Sequence, residues 1–257
     1  MNTDSQGGAF MINNSMWNGF KQIEFEFEGK LATLVFPEKA NESKNWTIKT
    51  EYKDAFPETE IALLKNGFHV AYLENVSRLA PKEDCDRKAR FVKFLSEKYG
   101  LKDKCIPIGM SCGGAHAVRF AGYYPTLVEC MFIDAPVLNY CDFPGRLGNT
   151  SCEKVWENEF LKTYPGMTRA KLLDFPHHPM NMANILIENK IPIIMLYGTE
   201  DSTVIYNENG AFFEEAYKET PELLTVVKRE YQGHHPHGIP QNPEIIVDFI
   251  LKHINLF

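Results

Sequence analysis

The chain is predicted to fold as an α/β protein, with a mostly parallel central sheet covered by helices on both faces. Three observations point there. Short apolar runs alternate with stretches of helical periodicity along most of the 257 residues. Several of these runs, such as Cys130 to Asp134 and Ile191 to Tyr197, are continuous rather than alternating, as in strands buried on both faces. One run, Cys105 to Ile108, opens into Gly109-Met110-Ser111-Cys112-Gly113 and then a helical stretch to Tyr123, a strand, sharp turn and helix in sequence.

The elements follow in order. Residues 1–20 read as poorly ordered or loosely packed. Gln22 to Glu28 alternates polar and apolar residues, the pattern of a half-buried strand, and Gly29-Lys30 turns it into the run Leu31 to Phe36. A polar loop covers 37–46. A helical stretch from about Thr50 to Lys65, interrupted at Pro57, is stopped by Gly67. Phe68 to Leu73 is a strand, and Glu83 to Tyr99 is a charged helix with Phe91, Val92 and Leu95 on its apolar side, closed by Gly100. After the Ser111 turn and its helix come strands at 130–134, 191–197 and 224–229, separated by helical segments, and a terminal helix from about Pro243.

Residues 137–190 exceed what a simple crossover needs. They predict helices over 151–164, 168–173 and 181–189 and carry Tyr140, Phe143, Trp156, Phe160, Tyr164 and Phe175. Two readings stand side by side: a cap that shapes a pocket, or a surface insertion whose aromatics pack it to the body. There is no internal repeat and no linker, so 1–257 reads as one domain with 137–190 inserted.

Composition narrows the function. A formal net charge of −7 without a basic run argues against nucleic acid. No apolar stretch reaches membrane-span length, and the first residues lack the pattern of a signal peptide, so a cytoplasmic location is expected unless a leader has been trimmed. The six cysteines form no CxxC pair and read as reduced thiols.

The chemistry-bearing residues sit on loops after strands. The turn around Ser111 presents its hydroxyl, and the N–H of Cys112, at the start of the next helix, can face a developing oxyanion. Gly198-Thr199-Glu200-Asp201 follows one strand and Gly233-His234-His235-Pro236-His237-Gly238 follows the last. The order Ser111, Asp201, His234 is nucleophile, acid, base. Asp134 also follows a strand and competes with Asp201, its other role being to brace a loop. His235 and His237 read as loop residues that pack or contact the pocket. His116 and His69 read as packed, Glu200 as solvent-facing, and Lys49 and Glu51 as rim residues or a surface pair. A metal site joining the 234–237 histidines to His177 and His178 lacks regular zinc spacing.

On Phe56 to Glu58, Ala62 to Tyr72, Gly109 to Gly114, Asp134 to Val137, Gly198 to Asp201 and Gly233 to His237, the chain resembles the α/β-hydrolase superfamily. More narrowly, it resembles small bacterial hydrolases near the carbohydrate esterases and acetyl xylan esterases. The resemblance covers roughly 22–257. It implies the α/β-hydrolase fold, Ser111 as nucleophile, Asp201 as acid, His234 as base and no cofactor. Where the superfamily carries His-Gly after an early strand, this chain has Asn45-Trp46, so a backbone N–H at or beside Trp46 is expected as second oxyanion donor. The expected activity is hydrolysis of a short-acyl ester, with a small-molecule or acetylated carbohydrate substrate. The alternatives are a silent binding module on the same fold, or a lyase or perhydrolase using the same three residues.

Overall fold

The computed structural model describes residues 13–150 and 154–254. Its sheet contains β1 (Asn13–Trp17), β2 (Phe20–Phe27), β3 (Lys30–Val35), β4 (Trp46–Lys49), β5 (His69–Leu73), β6 (Ile106–Met110), β7 (Met131–Asp134), β8 (Ile193–Gly198) and β9 (Leu224–Arg229). The spatial order is β1-β2-β3-β5-β4-β6-β7-β8-β9. The pairs β1/β2, β2/β3 and β3/β5 are antiparallel, and all pairs from β5/β4 to β8/β9 are parallel.

Side-chain alternation along the central strands supplies both faces. Ile133 of β7 and Met195 of β8 pack with α2 (Lys82–Tyr99) and α3 (Cys112–Tyr123). Their neighbours Phe132, Ile194 and Leu196 pack on the opposite face with α1 (Glu58–Lys65). The helices of the insertion are α4 (Leu161–Thr163), which continues a π-helical turn over Trp156–Phe160, then α5 (Arg169–Leu173) and α6 (Ala183–Glu188). Two more follow, α7 (Gly210–Ala216) and α8 (Glu244–Ile254); α8 lies on the α1 face through Ile246, Val247 and Ile250. No helix among the described residues is long and apolar enough to cross a membrane.

Two elements differ from expectation. Residues 1–12 lie outside the described residues, but Asn13–Trp17 is an edge strand paired to β2, not a loose segment. Its Asn-Asn-Ser-Met-Trp sequence is largely exposed and shows no alternation, which hides it from pattern reading. The expected start of a helix near Thr50 is the end of β4, and the helix proper begins at Glu58. All four β4 residues are buried, and four residues are too short a run to show a period.

The insertion is packed rather than open. Tyr140, Phe160 and Trp156 are 0%, 0% and 4% exposed, and they form a core with Leu79, Ala80, Cys112 and Ala115 of the body. Polar bonds pin the same face: Tyr140 Oη donates to Leu79 O at 2.8 Å, and Ser77 Oγ lies 2.6 Å from Thr163 Oγ1. Arg78 donates to both oxygens of Glu159 at 2.5 and 2.6 Å. The aromatics therefore attach the insertion to the body, and of them only Phe143 reaches the cavity described below.

A pair of carboxyl groups fixes the start of the insertion. Asp142 is buried; it accepts from Asn209 Nδ2 at 2.8 Å and from Thr150 N–H at 3.3 Å. Glu208 accepts from the backbone N–H and side-chain amide of Asn149. Gly148 leaves room for the pair, since a Cβ there would meet Asp142 Oδ1 at 2.8 Å and overlap Glu208. Burial first, then the hydrogen bond and charge of Glu208, push the Asp142 carboxyl up to about 7. Glu208 goes the other way: burial raises it, but bonds from Asp142 and Asn149 outweigh that and hold it below its ordinary value. The pair thus shares one proton over the neutral side of the acid range.

The sign follows from linkage. A carboxyl whose folded value is raised contributes stability that is complete below its unfolded value and lost as pH rises through the folded one. Asp142→Asn keeps a hydrogen-bonding group and removes the titration. The Tm of the variant should gain on wild type as pH rises from 3.8 to about 7 and then run parallel to it. A Tm difference that stays constant across that range would contradict the shared proton.

Candidate active site

Ser111 sits between β6 and α3 at φ +53°, ψ −120°, a left-handed conformation that a serine adopts only under constraint. Its N–H donates to Asp134 O at 2.9 Å, and its carbonyl accepts from Gly114 N at 2.9 Å and Val137 N at 3.0 Å. The close return of helix against strand explains the glycines. A Cβ on Gly109 would stand 2.3 Å from Gly113 O, and one on Gly114 would stand 2.4 Å from Pro136 Cβ. Gly113 is looser, its Cβ position lying 3.2 Å from Glu51 Cβ. The tight contact on the helix side therefore belongs to Gly114 rather than to the second glycine of the motif.

Ser111, His234 and Asp201 are brought together. His234 Nε2 lies 3.1 Å from Ser111 Oγ, and His234 Nδ1 lies 2.7 Å from Asp201 Oδ2. Asp201 Oδ1 accepts from the N–H groups of Thr203 at 2.8 Å and Val204 at 2.9 Å. Burial alone would raise the Asp201 carboxyl; the hydrogen bond and charge of His234 and the two N–H donors outweigh it and hold the group below its ordinary value. An ionised Asp201 accepts a hydrogen bond from His234 Nδ1–H, which leaves the Nε2 lone pair facing Ser111. The loops can meet because Gly198 ends β8 without a side chain: a Cβ there would be 2.3 Å from Gln232 O.

Asp134 has a different place. It is fully buried, accepts from Arg229 Nη2 at 2.5 Å and from Gly238 N–H at 2.6 Å, and lies 3.4 Å from His237 Nδ1. Arg229 in turn donates to Pro236 O at 2.8 Å and Gly238 O at 3.0 Å. The pair ties β7 and β9 to the loop that carries His234, so Asp134 braces the histidine loop.

The remaining candidates divide. His235 and His237 flank His234 with ring centroids 4.8 and 4.9 Å from it, and Phe56 stacks on His235. His177 contacts Tyr123, and His178 accepts from Tyr140 N–H and donates to Leu172 O, both in a different part of the molecule from the 234–237 group. His116 is fully buried against Ser77 O and Lys88, and His69 is a β5 core residue. Lys49 is 1% exposed and bonds Glu60 at 2.5 Å and Ala55 O at 3.0 Å, which clamps the loop between β4 and α1. Glu51 is bonded by Asn75 at 2.6 Å.

A cavity of about 320 Å³ opens at Ser111 and His234. Its other walls include Phe143, one of the insertion's aromatics, and Tyr52, Phe56, Arg78 and Thr203, which the sequence did not single out for this role. Cys112 begins α3 beside Ser111; its thiol is buried and pushed up to about 11, chiefly by that burial. Trp46 stands at the opposite end of the sheet. It begins β4, is 0% exposed and donates its indole N–H to Lys102 O. Register puts Lys49 beside Ile108, so Tyr52, three residues on, comes level with Ser111. Tyr52 has φ +54° and Phe56 φ +48°, which marks their loop as constrained too. Strand register was the missing signal, because β4 itself was not legible.

No family model matches the sequence, and no curated protein matches it. Solved structures do. An S-formylglutathione hydrolase from Agrobacterium tumefaciens superposes with a TM-score of 0.67 at 15% identity, over 95% of this chain and 99% of that one. Est1E from Butyrivibrio proteoclasticus gives 0.64 at 14% identity, over 95% and 98%. A puromycin hydrolase gives 0.64 at 16% identity, over 96% of this chain and 40% of its own length. Likeness at this level of identity concerns the fold, and it agrees with the strand order, the turn at Ser111 and the loops that meet there: this chain has the α/β-hydrolase fold.

Proposed function

We propose that the protein is a serine hydrolase that cleaves carboxylic esters with a short acyl group. The observation that carries the reading is the hydrogen-bonded line from Ser111 Oγ through His234 to Asp201, with steps of 3.1 and 2.7 Å, at the wall of a cavity. Ser111 Oγ attacks the ester carbonyl while His234 Nε2 takes its proton. Asp201 holds the imidazole tautomer and stabilises the imidazolium. The backbone N–H of Cys112 and that of Tyr52, in place of Trp46, receive the oxyanion. His234 then protonates the departing alkoxide, and water, activated by the same imidazole, releases the acid. The similar S-formylglutathione hydrolase and Est1E add support at the level of reaction class.

The short-acyl part rests on the cavity. About 320 Å³ lies at the low end for ligand pockets, and three histidines and Arg78 interrupt its apolar wall. A long chain needs a broader apolar surface. A sugar-like alcohol rests on family resemblance alone, since of the aromatics named in 137–190 only Phe143 reaches the cavity.

A fluorophosphonate probe should label wild type and leave Ser111→Ala unlabelled. In a p-nitrophenyl ester series, acetate to butyrate should outpace octanoate. An unlabelled but folded wild type would remove the hydrolase reading, and a rate that climbs through octanoate would remove the short-acyl limit.

The acid assignment has its own test. Asp201→Asn should lower turnover by about 10³–10⁴ with little change in Tm. Asp134→Asn should instead lose about 3 kcal/mol of stability, since it leaves Arg229 buried without its counter-charge. The reverse pattern would assign the acid to Asp134.

A further inference from the structure

The loop after β9 places three imidazoles at the mouth of the cavity. His234, His235 and His237 each offer one ring nitrogen, and these nitrogens lie within 4.8 Å of one another. The rings meet edge to face, with centroids 4.8, 4.9 and 5.0 Å apart. Phe56 supports the group from outside, stacked on His235 at 5.6 Å and edge-on to His237 at 5.4 Å. His235 is exposed at the loop tip, whereas His237 is 3% exposed and held beside Asp134.

We infer that these three residues form a binding site for zinc(II), and that its occupation switches off the base at His234. The effect on activity rests on the reading of His234 as base; the binding does not. The chemistry of the donor set suits zinc, which takes neutral imidazole nitrogens at about 2.0–2.1 Å in a tetrahedral arrangement. That arrangement sets ligand nitrogens about 3.4 Å apart, so the rings need to draw together by about 1.4 Å or less. His234 is already organised as a metal ligand. Its Nδ1–H is bonded to Asp201 at 2.7 Å, the carboxylate–histidine arrangement that fixes the tautomer and raises the donor strength of the other nitrogen in metal sites.

The same Nε2 lone pair cannot serve both purposes. When zinc takes it, no proton moves: Nδ1–H stays on Asp201, Ser111 keeps its hydroxyl proton, and the bond between Ser111 Oγ and Nε2 is lost. Ser111 is then an unactivated alcohol until the metal is removed.

The test combines calorimetric titration of the whole protein with zinc chloride at neutral pH and ester turnover in the same buffer. Wild type should bind one zinc per chain, lose turnover in step with occupancy and regain it on addition of EDTA. His235→Ala should bind zinc at least about tenfold more weakly, and its inhibition curve, scaled to its own metal-free rate, should shift by the same factor. Ser111→Ala should bind zinc as well as wild type, which separates the metal from catalysis. Absence of saturable binding, or an affinity and inhibition curve left unmoved by His235→Ala, would overturn the proposal. Zinc binding that depends on His235 in a protein without esterase activity would keep the site and discard the hydrolase reading.

Discussion

The buried pair between Asp134 and Arg229 is the contact on which the rest of the site depends. Asp134 ends β7 and Arg229 ends β9, so the pair spans β8, the strand that delivers Asp201. Both partners spend their remaining bonds on the loop after β9: Asp134 on Gly238 N–H, Arg229 on the carbonyls of Pro236 and Gly238. The loop is held by polar bonds such as these and those to the loop after β8, because its polar, glycine-flanked sequence buries few apolar side chains. Desolvating two charges is costly, and such a pair is weak as a source of stability but strong as a fixer of geometry. Here it fixes where His234 can stand relative to Ser111.

The facing side carries strained backbone. Tyr52, Phe56, Ser111 and Ala135 all have φ between +42° and +54°, and all lie on the turns that meet at the cavity or beside it. Each costs of order 1–3 kcal/mol relative to relaxed backbone, so the surrounding packing must over-determine them. The packing is visible: Gly109 and Gly114 bring helix and strand together, Pro136 closes on Gly114, and the Thr50 hydroxyl lies within bonding distance of both Ile108 O and Gly113 O. The result is a serine hydroxyl presented by a turn that cannot relax without unpacking the centre of the sheet.

Much of this was legible in the sequence, for physical reasons. The buried parallel strands show as continuous apolar runs, and the turn at Ser111 shows because only glycine tolerates the contacts at Gly109 and Gly114. Ser111, Asp201 and His234 could be found because each follows a strand. What could not be read depends on register and tertiary pairing. β4 is too short to show a period, so the loop after it was misplaced, and Trp46 was expected where Tyr52 stands. Asp134 and Arg229 are 95 residues apart in the chain and meet only across the sheet. The aromatics of the insertion look the same in sequence whether they face a ligand or a core; burial places Tyr140, Trp156 and Phe160 in the core, while Phe143 lines the cavity.

Behind the Ser111 turn lies a second polar cluster whose residues do not line the cavity. Lys88 is fully buried and bonded to Asn75, and it sits 3.5 Å from His116 Nδ1. Asn75 donates to Thr50 O and to Glu51, and His116 reaches Ser77 O at 2.8 Å. Burial lowers Lys88 and His116 and raises Glu51, each shift running toward the uncharged form, and hydrogen bonds through Asn75 join the cluster. Its members come from the loops after β4 and β5 and from α2 and α3, the elements that surround Tyr52, Arg78 and Cys112. An apolar core would pack these elements without orienting them. Directional bonds fix how the loop bearing Tyr52 and the loop bearing Arg78 sit against the helix that begins beside Ser111. Asp84 does the same for the second loop, accepting the N–H groups of Val76 and Ser77 just before Arg78. The polar interior thus holds one side of the cavity while the Asp134–Arg229 pair holds the loop on the other, with Ser111 between them.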